Sequence, residues 1–264
     1  MATPLVLIRG GGELGTGVGH TLVCAGYRLV VIDRPRPSAL RLGVCFAAAA
    51  LKGRIEVEGV EAVHCEAQED VLREISAGRV AVWTGEEAAL DLRPEALIDA
   101  RMRRLTEPLS TRGEAPVVIG IGPGFEAGGD VDYAIESNRG PRLGKVVQHG
   151  LAEGHTGIPG DVQGFREERI LRSPRAGLFV RVLELGDFVA AGDVVGQVEG
   201  EPVRASLAGM VRGLKLSGVP VGDNHKVGDV DPRRDLGLLT TMTDKAKAVG
   251  SGAVEALGLA GLLP

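Results

Sequence analysis

The stretch IRGGGELGTGVGHTL, residues 8–22, contains the end of an apolar run, a glycine-rich turn and the start of a helical pattern. Gly10, Gly12 and Gly15 have the spacing GxGxxG directly after the run LVLI. Glycines at this spacing let the main chain turn sharply and approach a pyrophosphate, and N–H groups at a helix start favour negative charge. The stretch therefore predicts a strand, a phosphate-binding turn and a helix over 14–25. A tight turn without a ligand is the alternative.

Asp33 ends the next apolar run, LVVI at residues 29–32. An acidic residue at this point of a dinucleotide-binding unit accepts a hydrogen bond from a ribose hydroxyl, which makes Asp33 a candidate ligand-binding residue. Arg34 and Arg36 follow it and are candidates for holding an extra phosphate, with solvated loop charges as the alternative.

Further apolar runs without polar alternation predict strands that are buried on both faces, as in a parallel sheet. They are VAVW at 80–83, ALI at 96–98 and VVIGI at 117–121. Residues 69–77 have helical spacing, which completes the β–α alternation of a doubly wound fold. The segment RIEVEGVEAVHC at 54–65 alternates about Glu58 and Gly59, and this pattern predicts an antiparallel hairpin inserted there.

The second half of the chain has short β-like segments separated by glycines, which is typical of a small all-β domain. We therefore expect an α/β Rossmann-like parallel sheet plus a small all-β barrel-sandwich hybrid domain. The predicted divisions are 1–130 for the cofactor-binding domain, 131–164 for a junction, 165–235 for the β domain and 236–264 for a helical tail. Gly250 and Gly252 are expected to break the tail helix.

A second glycine turn, GPGF, follows the run VVIGI and supplies Gly122 and Gly124 as candidate ligand-contacting positions. In a parallel sheet this turn lies at the same carboxyl edge as Gly10–Gly15, where ligands usually bind. Arg101, with Arg103 and Arg104, follows another run, and Arg139 lies in the segment IESNRG. Guanidinium groups there favour phosphate or carboxylate ligands. A solvated helix face is the alternative for the arginines at 101–104, and a purely structural glycine turn is the alternative for GPGF.

Composition excludes several classes of protein. Aromatic residues are 3% of the 264 residues and the net charge is −5, so we expect no nucleic-acid partner. No apolar run reaches the length that crosses a bilayer and no secretory signal is visible, so we expect a cytoplasmic protein without a membrane partner. No zinc, P-loop or hydrolase motif is present, and we assign no metal site and no catalytic residue.

Several long segments resemble one family. LVLIRGGGELGTGVGHTL, IGIGPGFEAGGDVDYAIESNRG, KVGDVDPR (226–233) and DKAKAVGSGAVEA (244–256) are similar to the accessory proteins of selenium-dependent molybdenum hydroxylase systems, whose N-terminal part is similar to the Rossmann domain of xanthine dehydrogenase accessory proteins. The resemblance implies a maturation role, a molybdopterin-type cofactor and a molybdenum hydroxylase apoenzyme as partner. Pro141 stands where this family pattern has a histidine.

The segment SPRAGLFVRVLELGDFVAAGDVVGQVEG resembles a biotinyl/lipoyl-type domain. The intervening EGEPV at 199–203 contains no lysine, so we expect no covalent biotin or lipoate. The leading hypothesis is an accessory factor that binds a phosphate-bearing cofactor or a nucleotide at the glycine turns. An NAD(P)-dependent oxidoreductase and a non-catalytic scaffold are the alternatives. The sequence does not decide which ligand is bound, whether a reaction is catalysed or whether the chain forms homo-oligomers.

Overall fold

The computed structural model describes residues 3–102, 110–154 and 157–264. Contacts divide the chain into two units, which are described separately. The first unit comprises Met1–Pro37, Val44–Thr156 and Met242–Pro264, and the second comprises Ser38–Gly43 and Gly157–Thr241. The predicted four-part division stays a prediction.

The first unit is built on a nine-stranded sheet within the described residues. The strands of this unit, including a separate two-stranded pair, are β1 (Leu5–Arg9), β2 (Arg28–Ile32), β3 (Arg54–Val57), β4 (Val60–Cys65), β5 (Val80–Trp83), β6 (Ala96–Asp99), β7 (Val117–Ile121), β8 (Glu126–Ala127), β9 (Tyr133–Ile135), β10 (Val146–Val147) and β11 (Gly150–Leu151). The helices are α1 (Glu13–Cys24), α2 (Ala49–Lys52), α3 (Gln68–Ser76) and α4 (Asp244–Leu259). The runs predicted as strands are confirmed as β1, β2, β5, β6 and β7.

The strand order is β10-β9-β7-β6-β1-β2-β5-β4-β3, and β8 and β11 form a separate two-stranded sheet. The consecutive strands from β9 to β4 are parallel, whereas β10 and β3 join the two ends antiparallel. The prediction of a parallel sheet is therefore wrong, because the sheet is mixed. The hairpin predicted at 54–65 is confirmed, and it supplies the antiparallel β3. Its turn has positive φ at both Glu58 (44°) and Gly59 (86°), as a two-residue hairpin turn of the I′ type requires.

Side chains of the central strands alternate between two apolar clusters, one on each face of the sheet. In β1, Val6 and Ile8 belong to the cluster that includes α1 and α4, whereas Leu5 and Leu7 belong to the cluster that includes α3. This alternation explains why these strands are apolar at every position rather than at every second one.

Helix α4 is continuous through Gly250 and Gly252, so the predicted break in the tail helix is wrong. Both glycines lie in contacts too close for a side chain: a Cβ on Gly250 would collide with Gly17 and Thr21 of α1, and one on Gly252 would collide with Gly144. The energetic cost of glycine in a helix is offset by close packing of the two helices.

The second unit consists of two four-stranded antiparallel sheets. One has the order β12-β19-β17-β14 and the other β16-β15-β13-β18. Their strands are β12 (Ile170–Arg172), β13 (Gly177–Arg181), β14 (Phe188–Val189), β15 (Val194–Val198), β16 (Glu201–Arg204), β17 (Gly209–Leu214), β18 (Val219–Val221) and β19 (Lys226–Asp231). The predicted biotinyl/lipoyl-like barrel is not found, and the fold-class prediction is corrected for this unit too. An apolar cluster that includes Phe179, Val195 and Val227 forms its core.

No helix in the described part of the chain is both long and apolar enough to span a membrane.

Candidate functional site

The residues predicted to contact a ligand follow the carboxyl ends of neighbouring parallel strands. Gly10, Gly12 and Gly15 follow β1, Asp33 follows β2 and Arg101 follows β6. Gly122 and Gly124 follow β7, and Arg139 follows β9. Because β9, β7, β6, β1 and β2 are adjacent and parallel, these positions lie along one edge of the sheet. Arg103 and Arg104 lie outside the described residues.

The glycines of the first turn have different surroundings. Gly15 is packed on the turn itself, since a Cβ there would overlap the carbonyl oxygen of Gly10. Gly11 is packed against Val31 and Ala47, at 2.8 and 2.9 Å from the position of an added Cβ. Gly12, in contrast, has no atom within 4 Å of that position. The main chain is therefore open to a ligand at Gly12, and the other glycines serve packing.

Helix α1 begins at this open position, with Gly12 as its N-cap residue and no side-chain hydrogen bond from the cap. The first N–H groups of a helix have no partner within the helix, and the helix dipole adds positive potential there. An anionic group is the natural partner for this arrangement.

Asp33 supports the turn directly. Its Oδ2 accepts a hydrogen bond from the Gly11 N–H at 2.7 Å, and its Oδ1 accepts one from the Arg34 N–H at 2.7 Å. Burial raises the pKa of Asp33 above its ordinary value, and these two hydrogen bonds oppose that rise. The carboxylate thus holds the shape of the glycine turn, while its predicted role toward a ribose hydroxyl stays a prediction.

Arg101 is bound by a buried carboxylate. Its Nε and Nη2 donate to Asp99 at 3.0 and 2.6 Å, and the Ser110 hydroxyl donates to the same carboxylate at 2.8 Å. Burial would raise the pKa of Asp99, but the hydrogen bonds and charge of Arg101 lower it below its ordinary value. The positive charge of Arg101 is therefore neutralised within the protein.

Arg9, which sequence reasoning missed, belongs to the same network. It donates to Glu87 at 2.8 and 2.6 Å and to Ser110 at 2.7 Å, and it forms an ion pair with Glu114 at 2.8 Å. The hydrogen bonds with Glu87 and Glu114 raise the pKa of Arg9. We call Arg9, Glu87, Asp99, Arg101, Ser110 and Glu114 the paired cluster. The sequence signal for this cluster was Arg9 itself, a charged residue at the end of the apolar strand β1.

The second glycine turn is shaped by positive φ angles at Gly122 (83°) and Gly124 (91°). A Cβ on Gly122 would also lie 2.6 Å from the Ser137 hydroxyl. This turn is closely packed on the segment that follows β9. Its predicted contact with a ligand stays a prediction.

In that segment, Glu136 is completely buried, and its two carboxylate oxygens accept from the Asn138 and Glu153 N–H groups at 2.6 and 2.8 Å. Arg139 follows on the surface. The buried carboxylate therefore orders the chain that presents Arg139.

Lys245, in the first turn of α4, was also missed as a site residue. Burial lowers its pKa, as does the positive charge of Arg139, while Glu13 and Glu136 oppose the shift. The sequence pattern of the segment 244–256 indicated a tail helix and a family resemblance, and neither pointed to Lys245. We call Gly12, Arg139 and Lys245 the open cluster.

Two cavities lie elsewhere in the first unit. One, of about 460 Å³, is lined by Leu7, Leu97 and the paired-cluster residues Arg9, Glu87 and Glu114 among others. A second, of about 1010 Å³, is lined by residues 92–95, 112–116 and Asp132. Neither is lined by the glycine turns. In the described part of the chain, no group of three or more His, Cys, Asp or Glu side chains is arranged to hold a metal ion.

No protein-family model matches the chain. Among solved structures, an aspartoacylase family protein from Mesorhizobium loti is 14% identical over 86% of this chain and 85% of its own, with a TM-score of 0.27. The ectoine utilization protein EutE (DoeB) from Ruegeria pomeroyi is 26% identical over 30% of this chain and 28% of its own, with a TM-score of 0.21. Scores this low do not establish a shared fold.

A curated relative covers nearly the whole chain. The protein YqeB of Escherichia coli K12, described as uncharacterized, is 38% identical over 256 residues, which are 96% of this chain and 47% of YqeB. The chain thus spans about half the length of the relative that it matches. This similarity supports a YqeB-like family for the chain.

Proposed function

We propose that the chain is an accessory factor for the maturation of a selenium-dependent molybdenum hydroxylase, and that it binds a phosphate-bearing cofactor or a nucleotide at its glycine turns. The maturation role comes from the resemblance of the long segments at 5–22 and 119–140 to that family. The binding role rests on one observation, the open main chain at Gly12 where α1 begins.

The surroundings of Gly12 fit a phosphate group. The neighbouring glycines, Gly11 and Gly15, bring the turn into close contact with the sheet and helix, and this packing leaves Gly12 facing outward. A phosphate there accepts hydrogen bonds from main-chain N–H groups and lies at the positive end of the α1 dipole. A pterin that carries a phosphate, or a nucleotide, meets this requirement.

The alternative of an NAD(P)-dependent oxidoreductase depends on Asp33 as a ribose acceptor. Both carboxylate oxygens of Asp33 already accept main-chain hydrogen bonds that shape the turn. The acidic residue thus has a structural explanation as well, although each oxygen keeps a further lone pair for a ribose hydroxyl. Asp33 alone therefore does not favour a dinucleotide over other phosphate-bearing ligands.

Native mass spectrometry of the protein purified from its own host tests the binding proposal. We expect a retained phosphate-bearing molecule in the wild type and its loss in Gly12→Val, which should stay folded with a melting temperature lowered by only about 2–4 °C, because valine is a weaker N-cap residue than glycine. Gly222→Val is the matched control, because Gly222 also has open space around an added Cβ and lies in the second unit. Equal retention by wild type and Gly12→Val would contradict the proposal.

Deletion of the gene in that host tests the maturation role. We expect the molybdenum hydroxylase to accumulate as inactive protein, and activity to return with the wild-type chain but not with Gly12→Val. Full hydroxylase activity in the deletion strain would contradict this part. Quenching and turnover of NADH by the purified protein would instead favour the oxidoreductase.

A further inference from the structure

The cations at this sheet edge fall into two groups. Arg9 and Arg101 are held by the carboxylates of Glu87, Glu114 and Asp99. In contrast, neither Lys245 nor Arg139 has a hydrogen bond or an ion pair within the residues that the structure describes. A role of these two residues in ligand binding rests on the proposed phosphate-binding function of the same site.

Helix packing places Lys245 beside the start of α1. The Thr243 hydroxyl, at the N-cap of α4, donates to Glu13 Oε1 at 2.6 Å, so the first turns of the two helices meet. Further along, Gly17 lies against Ala246, and Gly250 lies against Gly17 and Thr21. The two helices therefore run in the same direction, with both N-termini at the carboxyl edge of the sheet.

The carboxylates near Lys245 are used by other groups. Glu13 accepts from Thr243, and Glu136 binds two main-chain N–H groups with its two oxygens. Lys245 is half-buried, and it lies close enough to Arg139 for their charges to repel. Glu13 and Glu136 attract Lys245, but among the described residues neither forms an ion pair with it. An anion that contacts Lys245 and Arg139 directly would separate their like charges, and two helix N-termini add positive potential.

We infer that Lys245 and Arg139 together bind the anionic group that Gly12 admits, and that this group is a dianionic phosphate or a pyrophosphate rather than a carboxylate. Donors on three parts of the chain complement a phosphate or a pyrophosphate, which offers three or more acceptor oxygens, whereas a carboxylate offers two. The main-chain N–H groups at Gly12 contact one face of the anion. Lys245 and Arg139 supply charge from α4 and from the segment after β9, so the site joins three parts of the chain.

Calorimetric titration with inorganic pyrophosphate tests the inference in the full-length chain. We expect Lys245→Met and Arg139→Gln each to weaken binding about ten-fold or more, which is typical for loss of one charge-assisted hydrogen bond. Lys247→Met is the matched control, since it removes the same charge from the same helix. Lys247 forms an ion pair with Glu58 at 2.8 Å, and its loss is expected to change the affinity less than two-fold.

The outcomes separate the inference from the function on which it rests. If wild-type protein binds pyrophosphate and Lys245→Met and Arg139→Gln bind it equally well, the inference is overturned and the Gly12 site remains. If acetate binds as tightly as pyrophosphate, the ligand class is overturned. If wild-type protein binds no pyrophosphate, both proposals fail. Because Arg139 is exposed, Arg139→Gln carries the test should Lys245→Met not fold.

Discussion

The paired cluster and the open cluster lie at the same sheet edge but on opposite faces. They differ in whether their positively charged side chains form ion pairs with carboxylates. Arg9 and Asp99 continue the alternation of Leu7 and Leu97 and therefore face the side of α3. Lys245 belongs to α4, which packs on the other face. On the first face every named cation forms an ion pair with a carboxylate; on the second, neither Lys245 nor Arg139 forms an ion pair or a hydrogen bond among the described residues. Direct pairing with carboxylates, rather than the presence of arginine, distinguishes a structural cluster from a binding site.

The difference has an energetic consequence. A buried carboxylate that is bound by arginine and serine stabilises the fold, and removal of one partner leaves an uncompensated charge. Cations without partners contribute little to folding and are available to a ligand. Variants in the paired cluster should therefore change stability, and variants in the open cluster should change binding.

The largest effect is expected within the glycine turn itself. Gly15→Ala places a Cβ on the carbonyl oxygen of Gly10, so the main chain must move, and we expect a loss of about 3 kcal/mol or more in the free energy of unfolding. Gly12→Ala meets open space and should cost about 1 kcal/mol or less, through its weaker N-cap preference. Urea unfolding measures both. Similar losses of unfolding free energy for the two variants would show that an added Cβ at Gly12 does not meet open space.

Asp99→Asn is expected to destabilise the protein by about 2–3 kcal/mol. This lies at or below the lower end of the roughly 3–5 kcal/mol that breaking a buried ion pair costs, because Arg101 remains about one-third exposed. Asp91→Asn removes the same charge from an exposed position and should stay within about 0.5 kcal/mol of the wild type.

The pH dependence of the Asp99→Asn effect follows from the lowered pKa of Asp99. Its folded pKa lies below the ordinary value of 3.8, so the stabilisation is complete well above pH 3.8 and is lost as the pH falls through the folded pKa. The stability difference between wild type and Asp99→Asn should therefore be constant from about pH 7 to 5 and shrink below that. A difference that grows in acid would contradict the assigned pairing with Arg101.

The sequence could predict the local parts of this arrangement. The apolar runs predict β1, β2, β5, β6 and β7, because a strand buried on both faces must be apolar throughout. The spacing of Gly10, Gly12 and Gly15 predicts the turn and the start of α1. Each of these features depends on neighbouring residues only.

The paired cluster depends on contacts that no local pattern contains. Arg9 and Glu87 meet only because of the strand order, with β1 between β2 and β6. The predicted parallel sheet and barrel were wrong for a similar reason, since sheet edges and strand partners are set by tertiary contacts rather than by local periodicity.

Lys245 was missed because of the glycines near it. Gly250 and Gly252 predict a broken helix when they are considered alone, but each lies where another main chain approaches closely. Whether a glycine weakens a helix or permits close packing depends on the partner element. Only the packing of α4 on α1 brings Lys245 to the sheet edge.

The smallest effect is expected from Lys245→Met in the absence of a ligand, and it has the opposite sign to that of Asp99→Asn. The folded protein lowers the pKa of Lys245 below 10.5, mainly through burial and then through Arg139, with Glu13 and Glu136 opposing. The charged form is thus disfavoured by folding, and this penalty is fully present below the folded pKa and disappears as the pH rises toward 10.5. Lys245→Met should therefore stabilise the ligand-free protein slightly near pH 7, by less than about 1 kcal/mol after solvent screening.

The stability gained by Lys245→Met should shrink between pH 7 and 10.5. Lys247→Met should not stabilise the protein at pH 7, because it loses the ion pair with Glu58. Thermal unfolding at several pH values, without and with pyrophosphate, measures both variants. Addition of pyrophosphate should reverse the order, so that the wild type becomes more stable than Lys245→Met, since a ligand that binds only the folded state stabilises it in proportion to its affinity. If Lys245→Met is less stable than the wild type without a ligand, Lys245 contributes to folding, and the contrast between the open cluster and the paired cluster fails at this residue.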